Sequence, residues 1–135
     1  MNTKKQLAIF TILVPGLYFF GNALNLFEAF SWYDEIIHLI AGIWSALIMI
    51  FLYQNKKEEV PFYSYFEKKP LVMIFIIMIG IATSWEIFEK LLVEGLKKRY
   101  GAAPDLQPSN FDTITDTIAA LLGAWLSYEN HRYFT

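Results

Sequence analysis

The sequence predicts an all-α fold, a polytopic membrane protein built as a bundle of four transmembrane helices, and three observations predict it. The 135 residues are 56% hydrophobic and 18% aromatic, more apolar surface than a soluble domain of this length can bury. Stretches such as 71–85 carry no charge at all, which points to lipid as the solvent. The acidic and imidazole side chains near the apolar runs fall in three short pairs, Asp34/His38, Glu86/Glu89 and Asp112/Asp116. Ionisable groups inside a membrane are costly and mark functional sites.

The whole chain, 1–135, reads as a single membrane domain with four spans. The first covers about 7–27 behind Lys4 and Lys5; it is too long for a signal-peptide core and lacks a small-x-small cleavage site, so it reads as a retained helix. Pro15-Gly16 and Gly21-Asn22 are expected to bend or break it. The second covers about 32–53, with Ser31 and Asp34 both qualifying as N-caps. Residues 54–69 are polar and lysine-bearing, with an aromatic patch at 62–66 expected to lie along lipid headgroups. The third span starts at Pro70 and runs to about Val93. Gly101 to Asn110, with Pro104 and Pro108, reads as a loop, and the fourth, shorter span covers about 112–128. No internal repeat is evident.

Orientation follows from counting Lys and Arg. With both termini cytoplasmic, seven basic residues (Lys4, Lys5, Lys56, Lys57, Lys68, Lys69, Arg132) lie inside and four (Lys90, Lys97, Lys98, Arg99) outside. This predicts a multi-pass protein of the cell membrane with its polar pairs near the outer face. At about 1.5 Å per residue, His38 stands roughly 23 Å above Tyr53, Glu86 roughly 24 Å above Pro70 and Asp116 roughly 17 Å above Ser127. His38 and Glu86 fall in the outer third, and Asp116 in the outer half, of a hydrocarbon core about 30 Å thick.

Residues three and four apart share a helix face. Asp34 and His38 continue into Ala41, Gly42 and Ser45; Asp112 and Asp116 continue into Ala119, Ala120, Gly123, Ala124 and Ser127. Small residues let membrane helices approach closely, so the pairs extend into packing seams. On the third helix Gly80, Thr83, Ser84 and Glu86 are expected to contribute. Five carboxylates and one imidazole in a low dielectric cannot all stay ionised and unpaired, so protons or cations must neutralise them. With no cysteine, a metal would be held by oxygen and imidazole, which suits a divalent ion such as Mg, Mn, Zn or Ca. More than four ligands would also accommodate a pair of ions.

The segments Trp32-Tyr33-Asp34-Glu35-Ile36-Ile37-His38-Leu39-Ile40-Ala41-Gly42, Ser84-Trp85-Glu86-Ile87-Phe88-Glu89, and Asp112-Thr113-Ile114-Thr115-Asp116-Thr117 with Leu122-Gly123-Ala124 resemble the hallmark blocks of the YjdF-like family of small membrane proteins. More loosely, their order is similar to that in VanZ-like proteins. The resemblance covers the second to fourth spans and implies Asp34, His38, Glu86, Glu89, Asp112 and Asp116 as core residues. It implies no particular reaction.

The chemistry expected is that of a metal-dependent hydrolase or phosphatase acting on a membrane lipid or lipid-linked substrate. Asp34, His38, Glu86, Glu89, Asp112 and Asp116 would bind metal, and Glu86 or Glu89 would act as general base. The alternatives are a divalent cation or proton transporter, which in so small a chain would need a homo-oligomer, and a non-catalytic scaffold with a structural metal site. No basic patch with interleaved aromatics points to nucleic acid. Simpler roles compete at single positions: Asp34 and Asp112 suit N-caps, Glu86 stands four residues before Lys90, and Glu28, Glu35, Asn22 and Asn25 read as interfacial more than catalytic, though any of them could complete a ligand shell.

Overall fold

The computed structural model of the chain describes residues 2–55, 63–100 and 110–131. These form six helices: α1 (Thr3–Ala23), α2 (Leu26–Ala29), α3 (Tyr33–Asn55), α4 (Tyr63–Lys68), α5 (Pro70–Tyr100) and α6 (Asn110–His131), with no strand among the described residues. The fold is all-helical.

Asn2 caps α1, its side chain accepting the Lys4 N–H at 3.0 Å. The helix runs on through Pro15, although an interior proline removes a donor and crowds the preceding turn, a cost that membrane helices tolerate. The interruption comes later, at Asn25, whose φ of 52° is a left-handed conformation that asparagine tolerates better than most residues. Helix α3 starts at Tyr33, so Asp34 lies inside the first turn and does not cap it. Pro70 opens α5, where its fixed φ and missing N–H cost nothing. That helix continues past Val93 to Tyr100, with Lys97, Lys98 and Arg99 in a last turn whose dipole favours cations. Of the loop expected at 101–110, residues 101–109 lie outside the described residues, as do the lysines at 56 and 57, and Asn110 instead opens α6.

Helices α3 and α6 form the most extensive interface, and they run parallel: His38 faces Asp116, and Gly42 faces Ala120. Two glycines set the separation. A Cβ on Gly42 would run into the Ala120 carbonyl, and one on Gly123 into the Leu39 carbonyl. The small-residue seams read from the sequence are therefore real contact surfaces, with Ala46 and Ala124 both 0% exposed. Helix α1 packs antiparallel on α3 through Thr3 Oγ1 donating to Gln54 (3.2 Å), Trp44 Nε1 to Thr11 (3.0 Å) and Tyr33 Oη to the Leu17 carbonyl (2.8 Å). Gly21 admits the Tyr33 ring, which a side chain there would strike.

Helix α5 lays Ile74, Met78, Ala82 and Glu86 against the bundle, a buried i, i+4 stripe. Gly80, Thr83 and Ser84, expected on that seam, are exposed instead. They lie off the stripe, and the Ser84 hydroxyl bonds back to the Gly80 carbonyl at 2.7 Å. Of the aromatic patch expected at 62–66, Phe66 is 2% exposed and stacks on Tyr53 at 5.7 Å inside the core, Tyr65 is exposed, and Phe62 lies outside the described residues.

Three helical stretches are long and apolar enough to cross a membrane: α1, α3, and Pro70–Phe88 of α5. Helix α6 has the length, with 22 residues, but not the composition.

Candidate metal centre

The parallel α3/α6 pair brings its two N-terminal turns together, and α5 passes alongside. His38 Nε2 stands 3.7 Å from Asp34 Oδ1 and 3.8 Å from Asp116 Oδ2. One ligand atom from each of the three residues falls in a group spanning no more than 4.8 Å. These separations are too long for hydrogen bonds. They suit donors placed around one ion, since ligands about 2.0–2.2 Å from a metal stand roughly 3–4 Å apart. The i, i+4 spacing puts Asp34 and His38 on one face of α3, and the glycine seam holds Asp116 opposite them.

Asp116 is 3% exposed, and its Oδ1 has no hydrogen-bond partner among the described residues. An orphaned buried carboxylate oxygen is costly unless something charged or protic meets it. Glu86, 5% exposed, accepts a hydrogen bond from Thr113 Oγ1 at 2.9 Å, which ties α5 to α6. Its carboxylate lies within electrostatic range of Asp34, His38 and Asp116. Asp112, half-buried one turn before Asp116, lies in range of Asp34 and Asp116 but outside the three-residue group. Glu89 is on α5, one turn beyond Glu86, and its side chain lies outside the described residues.

Two residues outside the expected ligand set stand out. Glu35 reads as interfacial, yet its Oε2 is buried without a hydrogen-bond partner among the described residues, and it interacts electrostatically with Asp34, His38, Asp112 and Asp116. The signal was its position on the same first turn as Asp34. His131, at the far end of α6, is 4% exposed; Nδ1 donates to the Ser127 carbonyl at 2.8 Å and Nε2 meets the Gln6 side-chain amide at 2.6 Å. It pins α1 to α6 about 22 Å from Asp116, and no pattern in its polar surroundings distinguishes it from a surface histidine.

The cluster borders a cleft of about 380 Å³ between α1, α3 and α5. Asp34 and His38 are its ionisable lining, and the rest is mainly apolar, including Pro15 and Tyr18 of α1, Ala41 and Trp44 of α3, and Ile81 and Trp85 of α5. That volume lies within the usual range for small-molecule sites.

No curated protein and no solved structure matches the chain. Residues 1–131 match the family described as predicted membrane protein (DUF2238), and the chain belongs to that family.

Proposed function

We propose that this chain, a YjdF-like member of its family, is a metal-dependent hydrolase that cleaves a phosphate ester on a membrane lipid or lipid-linked substrate. One observation carries the reading: Asp34 and His38, two of the three residues of the Asp34–His38–Asp116 group, line an otherwise apolar cleft. An amphiphile would place its chain in the cleft and its polar group at the ligands. Three protein ligands leave coordination positions open, as catalytic sites do.

In this reading Asp34, His38 and Asp116 would hold a divalent cation, which when bound would supply Lewis-acid chemistry to a phosphoryl group and to an attacking water. Glu86, oriented by the Thr113 hydroxyl, takes the proton from that water. The apolar walls keep bulk water from the reacting group. Helix α6 is the fourth crossing. It lies beside α3, turns Asp116, Ala120 and Ala124 inward, and exposes Ile114, Ile118, Leu122, Trp125 and Leu126 on its outer face. Its low overall apolarity comes from the face turned inward. Both termini are cytoplasmic, on the lysine count.

Transport fits less well, because the cleft is apolar and the α3/α6 seam below the cluster is packed backbone to backbone. The test is phosphate release by detergent-purified protein with Mg²⁺ or Mn²⁺ from phosphatidic acid, lysophosphatidic acid and a polyprenyl diphosphate. Release from at least one is expected, with Glu86→Gln keeping its metal and losing roughly 10²–10⁴-fold in rate. Metal-loaded protein that releases phosphate from none of them, yet carries Mn²⁺ into proteoliposomes, would replace catalysis with transport.

A further inference from the structure

Two tyrosines are joined through one phenylalanine and differ at their hydroxyls. Tyr18 and Tyr33 both meet the Phe27 ring edge to face, at 5.8 and 5.0 Å. The Tyr33 hydroxyl is closed, donating to the Leu17 carbonyl at 2.8 Å. The Tyr18 hydroxyl is open: it is accessible and has no hydrogen-bond partner among the described residues. Tyr18 also lines the same cleft as Asp34 and His38. Its height follows from how α1 and α3 pair. The helices run antiparallel, Thr3 meeting Gln54 and Thr11 meeting Trp44, and continuing that register brings Tyr18 level with His38. The Tyr33–Leu17 bond agrees, since it joins the chain neighbours of Asp34 and Tyr18. A hydroxyl facing mainly apolar walls has little to bond to, and a ligand's polar group would supply the missing partner.

We infer that Tyr18 is a catalytic residue whose hydroxyl donates a hydrogen bond to a non-bridging phosphoryl oxygen of the lipid substrate. The inference rests on the hydrolase reading and deepens it, because it gives α1 a part in recognising the phosphate. Tyr18 reaches the ligand from the α1 wall of the cleft, and Asp34 and His38 from the α3 wall. The phenol keeps its proton, and its bond strengthens as negative charge builds on the phosphoryl oxygens. A neutral donor suits this place. The surrounding carboxylates repel an anionic ligand, so each donor aimed at its oxygens counts, and a hydrogen bond to a charged acceptor is about twice as strong as one to a neutral acceptor. The ring is braced for the task by its edge contacts with Phe19 and Phe27, at 6.0 and 5.8 Å.

The experiment is Tyr18→Phe, which removes the hydroxyl at nearly constant shape, beside Tyr33→Phe, in Mn²⁺-loaded full chain. Inorganic phosphate binding is measured by isothermal titration, and phosphate release from whichever of the three lipid substrates wild type cleaves is measured by initial rates, with Mn²⁺ content and thermal melts alongside. In Tyr18→Phe, unchanged Mn²⁺ content and melting temperature are expected, with phosphate binding and kcat/KM each lower by roughly 10–100-fold. Tyr33→Phe should lose stability and keep its phosphate affinity. Unchanged affinity and rate in Tyr18→Phe overturn the assignment and leave the hydrolase standing. Lost Mn²⁺ or a lowered melting temperature in Tyr18→Phe, or an equal fall in affinity in Tyr33→Phe, would make the hydroxyl structural and overturn it too. Weaker phosphate binding with an unchanged rate on the lipid would put free phosphate, not the lipid headgroup, at Tyr18. If wild type cleaves none of the lipids, the hydrolase reading falls and phosphate affinity alone decides Tyr18; no phosphate binding by wild type then overturns both.

Discussion

The chain's two histidines sit at opposite ends of the α3/α6 pair in opposite kinds of environment. His131 is closed: both ring nitrogens have partners at 2.6 and 2.8 Å, one an amide and one a backbone carbonyl. His38 is open: its nearest acidic oxygens stand 3.7 and 3.8 Å away and belong to carboxylates, and His38 itself lines a cleft beside Asp34. Burial alone does not separate a binding group from a structural one. What separates them is whether the partners are neutral and within hydrogen-bond distance, or charged and spaced for something between them.

The largest effect should come from the seam between the two ends. Gly42→Leu or Gly123→Leu forces a side chain into a backbone carbonyl of the neighbouring helix, which has no flexible end to move aside. Each is expected to abolish folding or lower stability beyond the usual 1–3 kcal/mol of overpacking, measured by thermal unfolding in detergent. A small shift in melting temperature would mean that the helices are not in backbone contact. Next, His38→Ala should remove bound metal while His131→Ala keeps it, which would make the contrast between the two histidines functional. The His131 variant should instead lose about 1–3 kcal/mol of stability, from the orphaned Gln6 amide and the vacated space.

Smaller is Thr113→Val, which deletes the hydroxyl on Glu86 at nearly constant shape. It should cost about 1 kcal/mol and weaken metal affinity roughly 10–100-fold, as loss of an orienting partner does, read by competition against a chelating dye. Unchanged affinity would detach Glu86 from the site. Least of all is Gly80→Ala on the exposed face of α5, where an added Cβ meets nothing within 4 Å. Helix propensity predicts a gain of up to about 1 kcal/mol and no change in metal content.

Much of this was legible in the sequence for specific reasons. Asp34/His38 and Asp112/Asp116 are spaced by one helical turn in apolar surroundings, and their stripes continue into glycine and alanine, so both pairing and seam could be read. Glu35 was legible only as a candidate to complete the shell, because one residue from Asp34 means about 100° of rotation, which places it on an outward face if the helix is considered alone. His131 sits among Tyr128, Glu129, Asn130 and Arg132, where local composition gives no hint of burial; its partner Gln6 is 125 residues away. Phe66 looked interfacial for the same reason, since its stacking on Tyr53 is a tertiary contact. Helix α6 shows the limit from the other side. On the proposed crossing by α6, the polar residues of the site are themselves what lower the apolarity of the helix.

The most direct test of the open His38 centre is elemental mass spectrometry on detergent-purified wild type, Asp116→Asn and His131→Ala. A divalent metal in at least stoichiometric amount in wild type and His131→Ala, lost in Asp116→Asn, is the expected result. Equal metal content in all three, or none in wild type after loading with Mn²⁺, Mg²⁺, Zn²⁺ or Ca²⁺, would contradict it and leave the cluster to protons.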